Sequence, residues 1–100
     1  MVQIIRTEEY ASWILSLRDD RAKAKIALRV DRLALGNPGD VKPVGGGLSE
    51  MRIDYGPGYR IYYGKYRDSV ILLLCGGTKN GQSRDIKKAK ALFEIWKTSK

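Results

Sequence analysis

Apolar and polar positions in the first third of the chain follow the spacing of a short strand and two helices. Val2–Arg6 is rich in β-branched residues and predicts the strand. Thr7 stands where a helix N-cap is expected, and Asp19 and Asp20 break this first helix and start a second one. The apolar positions of the first helix recur at helical spacing and are Tyr10, Trp13, Ile14 and Leu17.

The second helix, from about Arg21 to Leu35, carries two stripes that lie side by side. The apolar stripe consists of Ala22, Ile26, Val30 and Leu33, and the cationic stripe of Arg21, Lys25, Arg29 and Arg32. Glycine and proline at positions 36–39 then end the helix. A solvated helix face is the commoner explanation of such a cationic stripe.

Strands dominate the second half, with one helix at its end. The predicted strands are Asp40–Val44 at an edge, Leu48–Tyr55, Tyr59–Tyr66 and the apolar, central Ser69–Cys75. Ser83 is expected to cap a last helix over about Arg84–Lys97, with Ile86, Ala89, Phe93 and Trp96 toward the core. The order β-α-α-β-β-β-β-α predicts a single α+β domain over residues 1–100, with a mostly antiparallel twisted sheet, two N-terminal helices and a C-terminal helix.

The two strands around the Gly56-Pro57-Gly58 turn alternate apolar and polar residues. Side chains alternate between the two faces of a strand, so one face of this hairpin is predicted to be apolar. The opposite face carries Arg52, Asp54, Arg60 and Tyr62. Two arginines on an exposed sheet face suggest an anion site, although a solvated face with an Asp54 ion pair is the alternative.

The composition indicates which partners and which kinds of site to expect. Nineteen Lys and Arg against eleven Asp and Glu give a net charge of +8, which favours a polyanionic partner. The chain has no histidine and a single cysteine, Cys75, which argues against a zinc site and against His-dependent nucleophilic catalysis. Cys75 is expected to be a reduced core residue. No apolar run resembles a signal peptide or a membrane span, so we expect a soluble, cytoplasmic protein with no membrane partner.

Three motifs of the chain are the hairpin MRIDYGPGYRIYY, the strand and exit VILLLCGGTKNGQSRDI, and the helix opening DIKKAKAL. In these motifs the chain resembles the RelE/ParE toxin superfamily of bacterial type II toxin–antitoxin modules, in its HigB-like, phage-derived branch. The resemblance implies a toxin held inactive by an antitoxin encoded beside it. Many members of the superfamily cleave messenger RNA on the ribosome, and the ParE type poisons DNA gyrase instead.

The resemblance also implies a set of site residues. Arg52 matches the basic position on the first hairpin arm, Arg60 the arginine linked to phosphate stabilisation, and Lys79 the basic residue after the last strand. The chain departs from the family pattern because no Tyr or His follows Tyr66, and because Asn80 stands where relatives often have a second lysine.

The corresponding mechanism is attack of a ribose 2′-hydroxyl on the adjacent phosphate, with no metal and no cofactor. Arg52 and Arg60 would neutralise the phosphorane, since guanidinium groups bind phosphate oxygens bidentately. Lys79 is the candidate for proton transfer or for stabilising the leaving oxygen, and Asp54 is a second candidate base. The expected RNA contacts are Tyr62, which would stack on a base or hydrogen-bond to the substrate, and Lys25, Arg29 and Arg32 on the helix.

Three functions stay open from the sequence. The first is an endoribonuclease toxin whose partners are the ribosome, messenger RNA and a cognate antitoxin. The second is a gyrase poison, for which Arg52, Arg60 and Lys79 would be dispensable. The third is a non-toxic or degenerate basic RNA-binding domain.

Overall fold

The structure is a computed structural model that describes residues 2–99.

Capping residues set the start of both N-terminal helices. Strand β1 (Gln3–Arg6) leads into α1 (Glu8–Ser16), whose first turn is capped by the Thr7 hydroxyl, which accepts from the Tyr10 amide. Asp19 caps α2 (Asp20–Ala34) by accepting from the amides of residues 21 and 22. The predicted cap at Thr7 is confirmed, and so is the break between the two helices at Asp19.

The remaining strands complete a five-stranded mixed sheet in the order β1-β5-β4-β3-β2. Their bounds are β2 Val41–Gly45, β3 Leu48–Ile53, β4 Tyr59–Tyr66 and β5 Val70–Thr78. Neighbouring strands are antiparallel except β1, which runs parallel to β5. A short 3₁₀ turn (Lys79–Gly81) then leads into α3 (Gln82–Thr98). The predicted α+β class, order of elements and mostly antiparallel sheet are confirmed.

Helices cover both faces of the sheet. On one face, α1 and α2 pack on the apolar hairpin positions, and the four predicted stripe residues of α2 are all buried there. On the other face, α3 packs with Ala89 and Phe93 on Leu48, Tyr62 and Leu72. The prediction that this second hairpin face is exposed is therefore wrong for most of its length, because α3 leaves only the end near Arg52 open to solvent.

Three further boundaries differ from the predictions. Strand β3 ends at Ile53 and not at Tyr55, whose carbonyl oxygen accepts from the Gly58 amide in the turn. Strand β5 does not end at Cys75 but continues through Gly76 and Gly77, which pair with Ile61 and Arg60 of β4. Without side chains, these glycines let the Trp13 ring pack on one face of the strand and the Asp85 carboxylate on the other. Ser83 is not the N-cap of α3, because the 3₁₀ turn continues directly into the helix at Gln82.

Cys75 is buried on the α3 face of β5, and its thiol donates to the Asp85 carbonyl oxygen at 3.6 Å. Burial raises its pKa to about 12. We expect native protein at pH 8 to react with iodoacetamide far more slowly than a free thiol, since about a thousandfold less thiolate is present. Mass spectrometry of the native and the urea-unfolded protein checks this, and rapid native labelling would contradict the buried position.

Among residues 2–99, no helix is both long enough and apolar enough to cross a membrane.

Candidate functional site

A shallow depression of about 340 Å³ lies at one end of the sheet, where the β3–β4 hairpin turns. We call it the cationic depression, and its lining residues are Asp40, Arg52, Asp54, Gly58, Arg60 and Lys79. The three basic residues singled out from the sequence thus line one site, with Asp54 beside them. The cluster is polar and open to solvent on one side, as a site for a polymeric anion requires.

Strand register and one backbone hydrogen bond bring the three cations together. Arg52 and Arg60 are direct cross-strand partners in β3 and β4. Lys79 is far from them in sequence, but its amide donates to the Gly58 carbonyl oxygen at 2.8 Å and so ties the end of β5 to the hairpin turn. Like charges directly opposite each other destabilise a sheet. The site therefore concentrates positive charge at an energetic cost.

An acid outside the hairpin partly offsets this cost at Arg52. Its Nε and Nη2 atoms donate to Asp40 Oδ1 at 3.3 and 2.8 Å, in a pair that is open to solvent. This hydrogen bond holds the pKa of Asp40 below its usual range and raises that of Arg52. The expectation that Asp54 pairs with one of the hairpin arginines is wrong, since Asp40 takes that place at Arg52.

A second acid, Glu50, faces Arg60 from inside the protein. Glu50 is fully buried, and its Oε1 atom lies 3.8 Å from Arg60 Nε. Its Oε2 atom accepts from the Tyr62 hydroxyl at 3.1 Å and from Gln82 Nε2 at 2.7 Å. Arg60 is mostly buried, with 13% of its side chain exposed. Arg60 therefore lies between a buried negative charge and the cationic depression.

Tyr62 does not have the position that the sequence suggested. Its side chain is completely buried under α3, so the ring has no exposed surface on which a base could stack. The hydroxyl donates to Glu50, and burial together with that carboxylate raises the pKa of Tyr62. The prediction of a direct substrate contact for Tyr62 is corrected to a contact with the buried acid.

The cationic stripe of α2 contains one residue that stabilises the fold and others that are open to solvent. The Arg29 guanidinium stabilises the fold, because Nη1 donates to the Arg52 carbonyl oxygen at 2.7 Å and Nη2 to the carbonyl oxygens of Pro38 and Asp40. Lys25 and Arg32 are exposed. These three residues line a second depression that shares Asp54 with the first, so the α2 surface adjoins the cationic depression. The prediction that they hold RNA stays open.

Sequence reasoning missed Glu50 and Asp40. Glu50 precedes Arg52 by two strand positions and so shares its face, and the alternation along the strand could have predicted this. The sequence did not indicate that α3 would cover this position. Asp40 is brought to Arg52 by the pairing of β2 with β3, and the Arg52 amide also donates to its carbonyl oxygen.

The Asp40–Arg52 pair leads to a testable expectation. In Asp40→Asn, the guanidinium of Arg52 loses its anionic partner, and we expect inorganic phosphate to bind about two- to fivefold more tightly. The melting temperature should hardly change, because exposed pairs contribute little to stability. Titration followed by NMR checks the affinity, and Asp20→Asn is the matched control on an exposed acid outside the depression. An unchanged or weaker affinity would show that Asp40 does not compete for Arg52.

Within residues 2–99, no three His, Cys, Asp or Glu side chains come together as a ligand set for a metal ion.

Comparison with known proteins gives the chain a family. No family model matches it. It is 48% identical over 93 residues to an uncharacterized protein of Haemophilus influenzae, and the match covers 93% of this chain and 94% of that protein. The two proteins belong to one family. The relative has no described activity, so the family indicates no function, and the cationic depression is the feature that does.

Proposed function

We propose that this protein is the toxin of a bacterial type II toxin–antitoxin module and that it inhibits translation by cleaving messenger RNA on the ribosome. The observation that carries the proposal is the convergence of Arg52, Arg60 and Lys79 on one open depression. The sequence motifs that resemble the RelE/ParE superfamily supply the reaction class, and the superfamily fold is part of the same proposal. A cognate antitoxin and a cytoplasmic location follow from it.

The reaction assigned to the depression is an intramolecular transesterification. The ribose 2′-oxygen forms a bond to phosphorus as the bond to the 5′-oxygen breaks, which leaves a 2′,3′-cyclic phosphate and a free 5′-hydroxyl. The substrate supplies its own nucleophile, so the protein has to align the two oxygens and stabilise charge.

Each lining residue has an assigned part in this reaction. Arg52 and Arg60 are neighbours on one face of the two paired strands and are assigned to neutralise the phosphorane together. Asp54 is exposed beside them and is assigned as the acceptor of the 2′-hydroxyl proton. Lys79 is assigned to the leaving 5′-oxygen, to which it gives a proton.

A site without histidine and open on one side is poorly equipped to align RNA alone. Dependence on the ribosome is therefore part of the proposal: the ribosome orients the messenger, and the exposed Lys25 and Arg32 next to the depression contact ribosomal RNA.

The deciding experiment is tightly controlled induction in a bacterial host, with 5′-ends of transcripts mapped before and after induction. The proposal expects growth arrest with new 5′-ends in phase with codons, and the same cuts from purified protein with translating ribosomes. Arrest with a DNA-damage response and no cuts would replace the proposal with gyrase poisoning. Normal growth without cuts would indicate a non-toxic RNA-binding domain.

A further inference from the structure

The buried acid Glu50 is linked to the chain close to each of the three cations of the depression. It lies two residues before Arg52 on the same face of β3. Its partner Tyr62 lies two residues after Arg60 on β4, and its partner Gln82 follows Lys79 by three residues at the start of α3. Contacts at this one carboxylate therefore add to the strand register and the Lys79–Gly58 hydrogen bond that bring the three cations together.

One oxygen of Glu50 is left without a hydrogen bond, and it faces Arg60. Oε2 holds both hydrogen bonds, whereas Oε1 has none, and Arg60 Nε is a second buried atom without a partner. The two atoms are 3.8 Å apart, too far for a hydrogen bond but close enough for a strong attraction in a buried place. Buried polar atoms are rarely left unsatisfied, which points to a functional reason here.

The geometry selects which edge of the guanidinium faces outward. Nε faces Glu50, while Nη1 lies beside Gly58 in the lining of the depression and donates weakly to the Tyr59 carbonyl oxygen. Repulsion from Arg52 would otherwise drive the guanidinium toward solvent, where it could adopt many orientations.

We infer that Glu50 is a positioning residue that anchors the Nε edge of Arg60 and so presents its Nη edge to a phosphate in the depression. This deepens the proposed function and rests on it for the catalytic consequence alone. Transition-state stabilisation by a guanidinium depends on its direction, whereas simple anion attraction depends mainly on net charge.

Glu50→Gln separates these two effects because it keeps the shape and removes the charge. Loss of a nearby negative charge should let inorganic phosphate bind about two- to fivefold more tightly. Loss of orientation should slow single-turnover messenger cleavage on ribosomes about tenfold or more. A residue that only supported the fold would not strengthen binding while weakening catalysis.

Asp85→Asn is the matched control. Asp85 is the other buried acid on the α3 face, but its ion pair is with Arg84 and not with a cation of the depression. Asp85 packs on Gly77, the β5 partner of Arg60, so Asp85→Asn should show the charge effect on phosphate binding, with a cleavage rate within about twofold of the wild type. Equal slowing in Asp85→Asn and Glu50→Gln would overturn the inference, as would normal cleavage by Glu50→Gln.

A third measurement does not depend on cleavage. Exchange of the Arg60 Nε proton with solvent, followed by NMR, should be about tenfold faster in Glu50→Gln than in wild type or Asp85→Asn. If the wild type cleaves no RNA but this difference is found, the proposed function fails and the anchoring of Arg60 stands. Identical exchange in all three proteins would overturn the anchoring itself.

Discussion

Arg60→Ala is expected to reduce ribosome-dependent messenger cleavage at least about hundredfold and to abolish growth arrest, because removing one well-placed donor to a developing anion has effects of that size. Arg60 Nη1 lies beside Gly58 in the lining of the cationic depression, and Arg52 and Lys79 cannot replace a donor at that position. Single-turnover cleavage with translating ribosomes measures the rate. A folded Arg60→Ala protein that cleaves normally would exclude Arg60 from the site.

Arg60→Ala is also expected to lower the stability of the protein, because it leaves Glu50 buried without its counter-charge. Breaking a buried pair typically costs about 3–5 kcal/mol, a large part of the stability of a small domain. Arg60→Lys keeps a positive charge near Glu50 but loses the guanidinium fork, so we expect a folded protein with a strongly reduced rate. Lys79→Ala, at an exposed position, tests the site with little effect on stability.

Gly76→Ala is expected to lower the free energy of unfolding by about 2–3 kcal/mol, or roughly 10–20 °C in melting temperature. A methyl group at position 76 would overlap the Trp13 ring, which packs directly on the strand backbone. That ring is itself held by an edge contact with Tyr59 and a tilted contact with Tyr10, so it has little room to move. Chemical and thermal unfolding measure the loss.

A double-mutant cycle with Trp13→Leu identifies the cause. Once the large ring is gone, Gly76→Ala should cost less than about 1 kcal/mol, since the overlap that destabilises it is relieved. An equal cost in both backgrounds would mean that residue 76 is sensitive for a reason other than the contact with Trp13.

Local signals were sufficient for most elements of the fold. Thr7 and Asp19 cap helices because short polar side chains accept from free amides of the first turn, an interaction contained within four residues. The stripe of α2 is buried as its spacing predicts, because helical periodicity alone fixes which residues share a face. Local signals did not predict where β5 ends or where α3 begins. The end of β5 depends on its pairing with β4, and the start of α3 depends on the 3₁₀ turn before it.

The candidate site shows the same division. Alternation along β3 and β4 placed Arg52 and Arg60 on one face, and that was correct because the side-chain period of a strand is local. Whether that face meets solvent depends on where α3 packs, and this depends on contacts between residues far apart in the sequence. Tyr62 was therefore expected at the surface and is buried.

The sequence by itself determined the α+β class, the order of elements, the basic character of the chain and the three cations of the depression. Only the tertiary structure decided which acids face these cations. Asp40 reaches Arg52 through the β2–β3 pairing, and Glu50 becomes a buried charge because α3 closes over it. Burial and charge pairing are properties of the assembled surfaces, and a residue's own neighbours in the chain do not set them.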